Sequence, residues 1–245
     1  MSNENAPATE IEPELQSSME REGVEGTVRF IHELDDDGQL DAFERAQRLF
    51  GPRGTAPVDF DDYISLIHIG MEDAMRHSRR GGGDASKDLA NRMSFNMSAD
   101  LAACWPDDER VRDKRHFEEG LKAAEDCIRW RNELNKPDER KSIAWWAKGM
   151  HLFSLDRLDD SLDAFRTATT LSGVAPDADP QSSMTFSQLL NIGYCALAQI
   201  AQGHESGRPT LERVRAAYRE QFADPAKKED AEFGIDQLTT VEKRM

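Results

Sequence analysis

Residues 141–172 read KSIAWWAKGMHLFSLDRLDDSLDAFRTATTLS, and two apolar stripes of helical period run through this stretch on either side of a tight acidic turn. Gly149 and Ser161 are small residues, one on each stripe, where two helices can approach closely. Three bulky residues are available to fill the seam between the helices: Trp145, Leu152 and Phe165. The stretch therefore predicts a packed pair of helices, at about 140–154 and 158–172.

The spacing of these residues resembles one tetratricopeptide repeat (TPR), a helical hairpin with small, aromatic and alanine residues at fixed offsets. The residues that fall on those offsets are Trp145, Gly149, Leu152, Ser161, Phe165 and Ala168. The resemblance implies an all-α, TPR-like superhelix that presents a binding surface and performs no chemistry.

Apolar periodicity predicts eight further helices. They lie at about 17–34, 39–50, 60–79, 87–104, 113–134, 184–202, 210–222 and 228–243. Ten helices make about five hairpins, and we expect three regions: a disordered acidic tail (1–16), an N-terminal helical region (17–84), and a TPR-like domain (85–245) closed by a capping helix. A helical bundle unrelated to the family is the alternative for 17–84. The Arg-Arg-Gly-Gly-Gly run at 79–83 is the best candidate hinge.

The formal net charge is −16. Residues 1–70 hold 16 of the 47 acidic side chains and 5 of the 31 basic ones. A field of this sign repels phosphate backbones, so nucleic acid is not an expected partner. A basic protein surface would be attracted to the N-terminal part. Simple solubility is the alternative explanation of the charge.

The chain has only three cysteines, Cys104, Cys127 and Cys195, and they are widely spaced. An odd number without a paired-thiol motif argues against both a disulfide framework and a zinc site. The first residues are polar and acidic, unlike a signal peptide, and no apolar run is long enough to span a bilayer. We expect a cytoplasmic protein without a membrane partner, and the sequence carries no signal for an oligomeric state.

Residues 33–44, ELDDDGQLDAFE, resemble a single EF-hand calcium loop, with oxygen-bearing side chains at most ligand positions and Gly38 at the turn. Glu33 departs from that pattern because its side chain is longer than the aspartate expected at the first position. No second loop exists to pair with this one. The alternatives are therefore a calcium-binding regulatory protein and a plain acidic turn between two helices.

Signals for catalysis are weak. His68 and Glu72 share a helix face and could form half of a metal site, but no second pair completes it. The glycines at 81–83 lack the Gly-Lys-Ser/Thr ending of a phosphate loop. Asp108 and its acidic neighbours are expected in an exposed turn. We predict no catalytic residues, no metal and no cofactor, with a small-ligand carrier or enzyme as the less favoured alternative.

The TPR resemblance also implies which side chains face the concave groove. In that family they occupy fixed positions on the first helix of each repeat. For the hairpin at 141–172 these are Ile143, Trp146, Met150 and Phe153, and for the segment at 184–202 they are Ser187, Leu190, Tyr194 and Leu197.

This face is apolar, and the carboxylate-clamping lysine and asparagine set of some TPR domains is missing, so an acidic peptide tail is a poor candidate. We predict partner binding at Trp146, Met150, Phe153, Leu190, Tyr194 and Leu197. The protein would be an adaptor or scaffold for another protein or peptide, such as an amphipathic helix. Coverage of the groove by the protein's own chain is the alternative.

Overall fold

A computed structural model describes residues 11–245, and all regular structure in that range is helical, as predicted. The helices are α1 (Ile11–His32), α2 (Asp36–Phe50), α3 (Phe60–His77), α4 (Gly83–Leu101), α5 (Lys114–Glu133), α6 (Asp138–Ser154), α7 (Leu158–Leu171), α8 (Phe186–Ala201), α9 (Gly207–Gln221) and α10 (Lys228–Lys243). They follow the ten predicted helices in order. The chain forms two compact units, one up to Asp100 and one from Leu101 to Met245.

The division of the chain differs from the predicted one. We expected the second domain to begin at residue 85, whereas α4 lies with the first three helices in the first unit. The predicted tail also differs, because residues 11–16 belong to α1; residues 1–10 lie outside the described part. Pro13 is tolerated because it stands in the first turn of α1, where backbone N–H groups have no helical acceptor. Leu15, fully buried, anchors that turn.

In the first unit, α1, α2 and α3 pack on one another. A buried polar network ties α4 to them. The Tyr63 hydroxyl donates to Asp100 Oδ2 at 2.6 Å, and Gln47 Nε2 donates to the carbonyl oxygen of Met93 at 2.8 Å. Arg53 pairs with the other oxygen of Asp100 at 2.7 Å. Burying these groups is favourable only because each has a partner, so the network fixes where α4 lies.

The predicted hinge at 79–83 adopts a π-helical turn, Ser78–Gly82, that links α3 to α4. Gly81 and Gly83 have φ values of 123° and 59°. These left-handed values cost little only in glycine, which explains the run of glycines at this point. Mobility at this turn stays a prediction.

In the second unit each helix packs on the next one along the chain from α5 to α10, and α10 also packs on α8. The hairpin of α6 and α7 is the one predicted from residues 141–172. The region after it departs from a simple repeat. A Cβ atom on Gly193 would lie 2.7 Å from Leu238 of α10, so the small residue of α8 accommodates α10. Within residues 11–245, no helix combines the length and apolarity needed to cross a bilayer.

Candidate interaction groove of the second unit

The hairpin of α6 and α7 is closed by a small residue on each helix. The Ser161 hydroxyl donates to the carbonyl oxygen of Gly149 at 3.0 Å. The Phe165 ring lies directly over Gly149, where an added Cβ would be only 2.4 Å from the ring. Phe165 also stacks on Tyr194 of α8, with ring centroids 5.2 Å apart. The motif residues therefore join α6, α7 and α8.

A second link between these three helices is polar and buried. Asn191 Nδ2 donates to Ser142 Oγ at 3.1 Å and to the carbonyl oxygen of Ala168 at 3.3 Å. Ser142 Oγ also donates to that carbonyl oxygen, at 2.8 Å. All the side chains involved are sequestered from solvent, which makes the arrangement sensitive to the loss of any one partner.

Five of the six side chains predicted to bind a partner are buried, and Met150, at 1% exposed, is one of them. Leu197 and Tyr194 are 0% and 1% exposed, and Trp146 and Leu190 are each 7% exposed. The rings of Trp146 and Tyr194 contact each other with centroids 6.0 Å apart. These residues form part of the core and are not available to a partner in this conformation.

At Tyr194 the chain itself covers this face, through the residues between α4 and α5, which we call the 102–113 segment. Cys104 of this segment is fully buried. Gln237 Nε2 of α10 donates to its sulfur at 3.6 Å. The pKa of Tyr194 is raised well above its usual value, first by burial and then by the neighbouring Cys104 thiol. Of the two alternatives for the apolar face, self-coverage is the one that the structure supports at these residues.

Phe153, which is half-buried, lines a cavity of about 860 Å³ that remains in this face, and the buried Met150 lies behind it in the cavity lining. Its apolar wall also includes Phe117, Ile200 and Val241. Val111 and Met245 also line the cavity, with 88% and 50% of their surfaces exposed. Exposed apolar side chains around a concavity are typical of a site that binds another molecule.

An arginine cluster forms one side of the cavity. Arg110 holds Asp108 through two hydrogen bonds of 2.9 and 3.1 Å, and Arg112 Nη2 contacts the same carboxylate at 2.5 Å. Arg244 donates to the Asp108 carbonyl oxygen at 2.9 Å. Burial opposes ionisation of Asp108, but the hydrogen bonds from the arginines outweigh it and lower its pKa to about 2. Asp108 is therefore an ionised, 7% exposed carboxylate and not the exposed turn residue that we predicted.

Neither Val111 nor the arginines were predicted from the sequence as site residues. The available signal was weak: a single valine between two arginines, in a segment without helical periodicity. The tertiary fold brings these side chains together, because Arg244 contacts Asp108 although the two residues are 136 positions apart in the sequence.

The EF-hand-like residues do not form a calcium loop. Asp35 caps α2 by accepting from the backbone N–H of Gly38 at 2.8 Å, and α2 begins at Asp36. Asp37 and Gly38 therefore lie in the first turn of a helix and not in an extended loop. Throughout residues 11–245, no three His, Cys, Asp or Glu side chains meet in an arrangement suited to a metal ion.

The three cysteine side chains pack in the interior of the protein. All three cysteines are buried, and none of them forms a disulfide. Burial raises the pKa of Cys195 to about 11 despite a contact from the Thr169 hydroxyl. A thiol with so high a pKa is a poor nucleophile at neutral pH, so Cys195 is not suited to catalysis.

Comparison with models of known protein families finds no match. No curated protein matches the chain either.

Proposed function

We propose that this protein is a cytoplasmic, TPR-like adaptor whose second unit binds a segment of another protein in the cavity lined by Met150 and Phe153. The pairing of α6 with α7 through Gly149 and Ser161 supports the TPR-like assignment. Catalysis is not part of the proposal, which assigns the protein a binding role and no cofactor. Stacked helical hairpins of this type usually act by presenting such a surface.

One observation carries the proposal. Of the three large apolar side chains that are exposed among residues 11–245, two, Val111 and Met245, lie at this one cavity. Leaving Val111 88% exposed gains nothing for folding, whereas a partner that covered it would gain about 25 cal/mol for each Å² of apolar surface removed from water. The site differs from the one predicted from the sequence. Phe153 is retained as a partly exposed residue and Met150 as a buried part of the lining, while Trp146, Leu190, Tyr194 and Leu197 belong to the core.

Photo-crosslinking in the source cell extract tests this function. The full chain would carry p-benzoylphenylalanine in place of Val111, with the same replacement at Ala175 as the control, because Ala175 is exposed and lies away from the cavity. We expect a discrete crosslinked protein from position 111 that excess unlabelled wild-type chain removes and excess Val111→Asp does not. Equal labelling from both positions, or equal competition by both chains, would contradict a cavity-specific adaptor role.

A further inference from the structure

The cavity has a small local excess of basic side chains in an acidic unit. The second unit contains 26 acidic and 21 basic side chains. Around the cavity the balance reverses, because four arginines (Arg110, Arg112, Arg208 and Arg244) face three carboxylates (Asp108, Glu109 and Asp156). A local excess of one charge inside a field of the opposite sign selects partners by charge.

Two of the arginines already have a carboxylate partner. Arg110 and Arg112 share Asp108, which is held by both guanidinium groups. Breaking this arrangement would leave a charge buried without its partner, so these two side chains belong to the scaffold of the cavity. The arginines left to bind a ligand are Arg208 and Arg244.

Arg208 and Arg244 retain most of their capacity to bind an anion. Arg208 is 76% exposed, and its contact with Glu242 is long at 3.8 Å. Glu242 is held more closely by Arg215, at 2.5 Å. Arg244 donates to the Asp108 carbonyl oxygen and makes no ion pair with any residue of the described part of the chain. A guanidinium group has five N–H donors, so both side chains can still hold a carboxylate through two hydrogen bonds.

The apolar and cationic features lie in the same cavity. Val111 and Met245 are exposed there, and Phe153 is on its wall. A purely acidic chain would leave these apolar side chains uncovered. A purely apolar chain would remove water from the two arginines without replacing the hydrogen bonds that they make to it. A segment that carries both kinds of side chain satisfies both requirements.

We propose that the partner segment is amphipathic and acidic: its apolar side chains cover Val111 and Phe153, and a carboxylate pairs with Arg208 and Arg244. This inference rests on the proposed adaptor function and specifies its ligand. It reverses the expectation from sequence that acidic peptides are poor candidates. The cationic groups come from α9 and from the end of the chain after α10, and not from the helix positions on which that expectation was based.

A phage-displayed library of random dodecapeptides, panned on the immobilised full chain, tests the chemistry directly. We expect enriched peptides to combine Asp or Glu with Leu, Ile or Phe. The most enriched peptide is then synthesised and titrated by fluorescence anisotropy. Its affinity should fall about tenfold in Arg208→Gln/Arg244→Gln and recover in part in Arg208→Lys/Arg244→Lys, because lysine keeps the charge without the planar fork.

The control is Arg219→Gln, which removes an exposed arginine from α9 outside the cavity and should leave affinity unchanged. Peptides that bind the wild type, lose binding in Val111→Asp and keep full affinity in Arg208→Gln/Arg244→Gln would overturn the acidic assignment alone. Enrichment of basic peptides would also overturn it. Peptides whose binding survives Val111→Asp, or a library with no enrichment, would overturn the inference together with the adaptor function.

Discussion

Ser161 of α7 donates its hydroxyl hydrogen to the carbonyl oxygen of Gly149 on α6, 3.0 Å away, and both residues are buried. The contact uses the two small residues of the hairpin for different purposes. Gly149 makes room for the Phe165 ring. Ser161 gives the carbonyl oxygen of Gly149 a hydrogen-bond donor from the other helix of the hairpin. The hairpin is consequently specified by size and by hydrogen bonding together.

Replacing Gly149 with alanine should destabilise the protein, although the same change normally stabilises a helix interior. The new Cβ would lie 2.4 Å from the ring of Phe165, which cannot retreat because it stacks on Tyr194. We expect a loss of about 1–3 kcal/mol in the free energy of unfolding, and a larger loss for Gly149→Leu. Urea denaturation measures this change.

A double-mutant cycle identifies the clash as the cause. Phe165→Leu alone removes packing, but in the Gly149→Ala background it should cost less, because the smaller side chain leaves room for the new methyl group. Additive effects of the two substitutions would show that Gly149 and Phe165 do not meet as described.

Local chemistry explains why the helices could be predicted and the cavity could not. Helix α10 was predicted at 228–243, where it is found, because its apolar period is contained within sixteen consecutive residues. The hydrogen bond from Gln237 to Cys104 instead joins residues 133 positions apart. Helical periodicity is local, so it cannot signal a contact over that distance. The sequence could identify an apolar face on α6 and α8, but it could not decide which part of the chain would cover that face.

The tyrosines should titrate only when the protein unfolds. The chain has three, Tyr63, Tyr194 and Tyr218, and burial is the main reason that the pKa of each is raised well above the usual value. The fold therefore favours the neutral phenols, and this contribution to stability is present below the unfolded-state pKa of about 10 and is lost as the pH rises further.

Phenolate absorbance in an alkaline titration measures this behaviour. We expect each phenolate signal to appear together with loss of the helical circular dichroism of the unit that holds the tyrosine. A step equivalent to one tyrosine that precedes any loss of helical signal would place that residue in a solvent-accessible position, contrary to the structure.

Asp108 should make stability sensitive to acid. Its pKa is lowered to about 2, so its contribution is present above the unfolded-state value of about 4 and is lost as the pH falls towards 2. Because the site is not isolated from water, we expect about 1–2 kcal/mol for this loss. Asp108→Asn should be less stable than the wild type at neutral pH, and its stability should fall less steeply between about pH 5 and pH 2. Parallel pH profiles for the two proteins would argue against the arginine pairing.

Calcium should not bind at residues 33–44 more tightly than about millimolar. The expected ligands cannot converge while Asp35 caps α2 and Gly38 remains in its first turn. Isothermal titration with Ca²⁺ measures this, and Glu44→Gln is the control because it removes the terminal carboxylate of the would-be loop. A micromolar heat signal that Glu44→Gln abolishes would mean that the first turn of α2 rearranges around the ion.

Two kinds of substitution should separate the core from the binding site. Tyr194→Ala and Trp146→Ala remove side chains that are 1% and 7% exposed, and we expect each to cost on the order of 3–5 kcal/mol and to lower the melting temperature. Val111→Asp changes an 88% exposed side chain, so the free energy of unfolding should change by no more than about 0.5 kcal/mol. The melting temperature should therefore stay nearly constant while partner capture is lost.

The pairing of results is what distinguishes the two roles. If Tyr194→Ala instead kept the melting temperature and lost the partner, the face covered by the 102–113 segment would have to open in solution, and Tyr194 would be a contact residue after all. If Val111→Asp lowered the melting temperature as much as Tyr194→Ala does, the valine would be part of the core, because only a side chain that packs against its own protein can destabilise it to that extent when replaced.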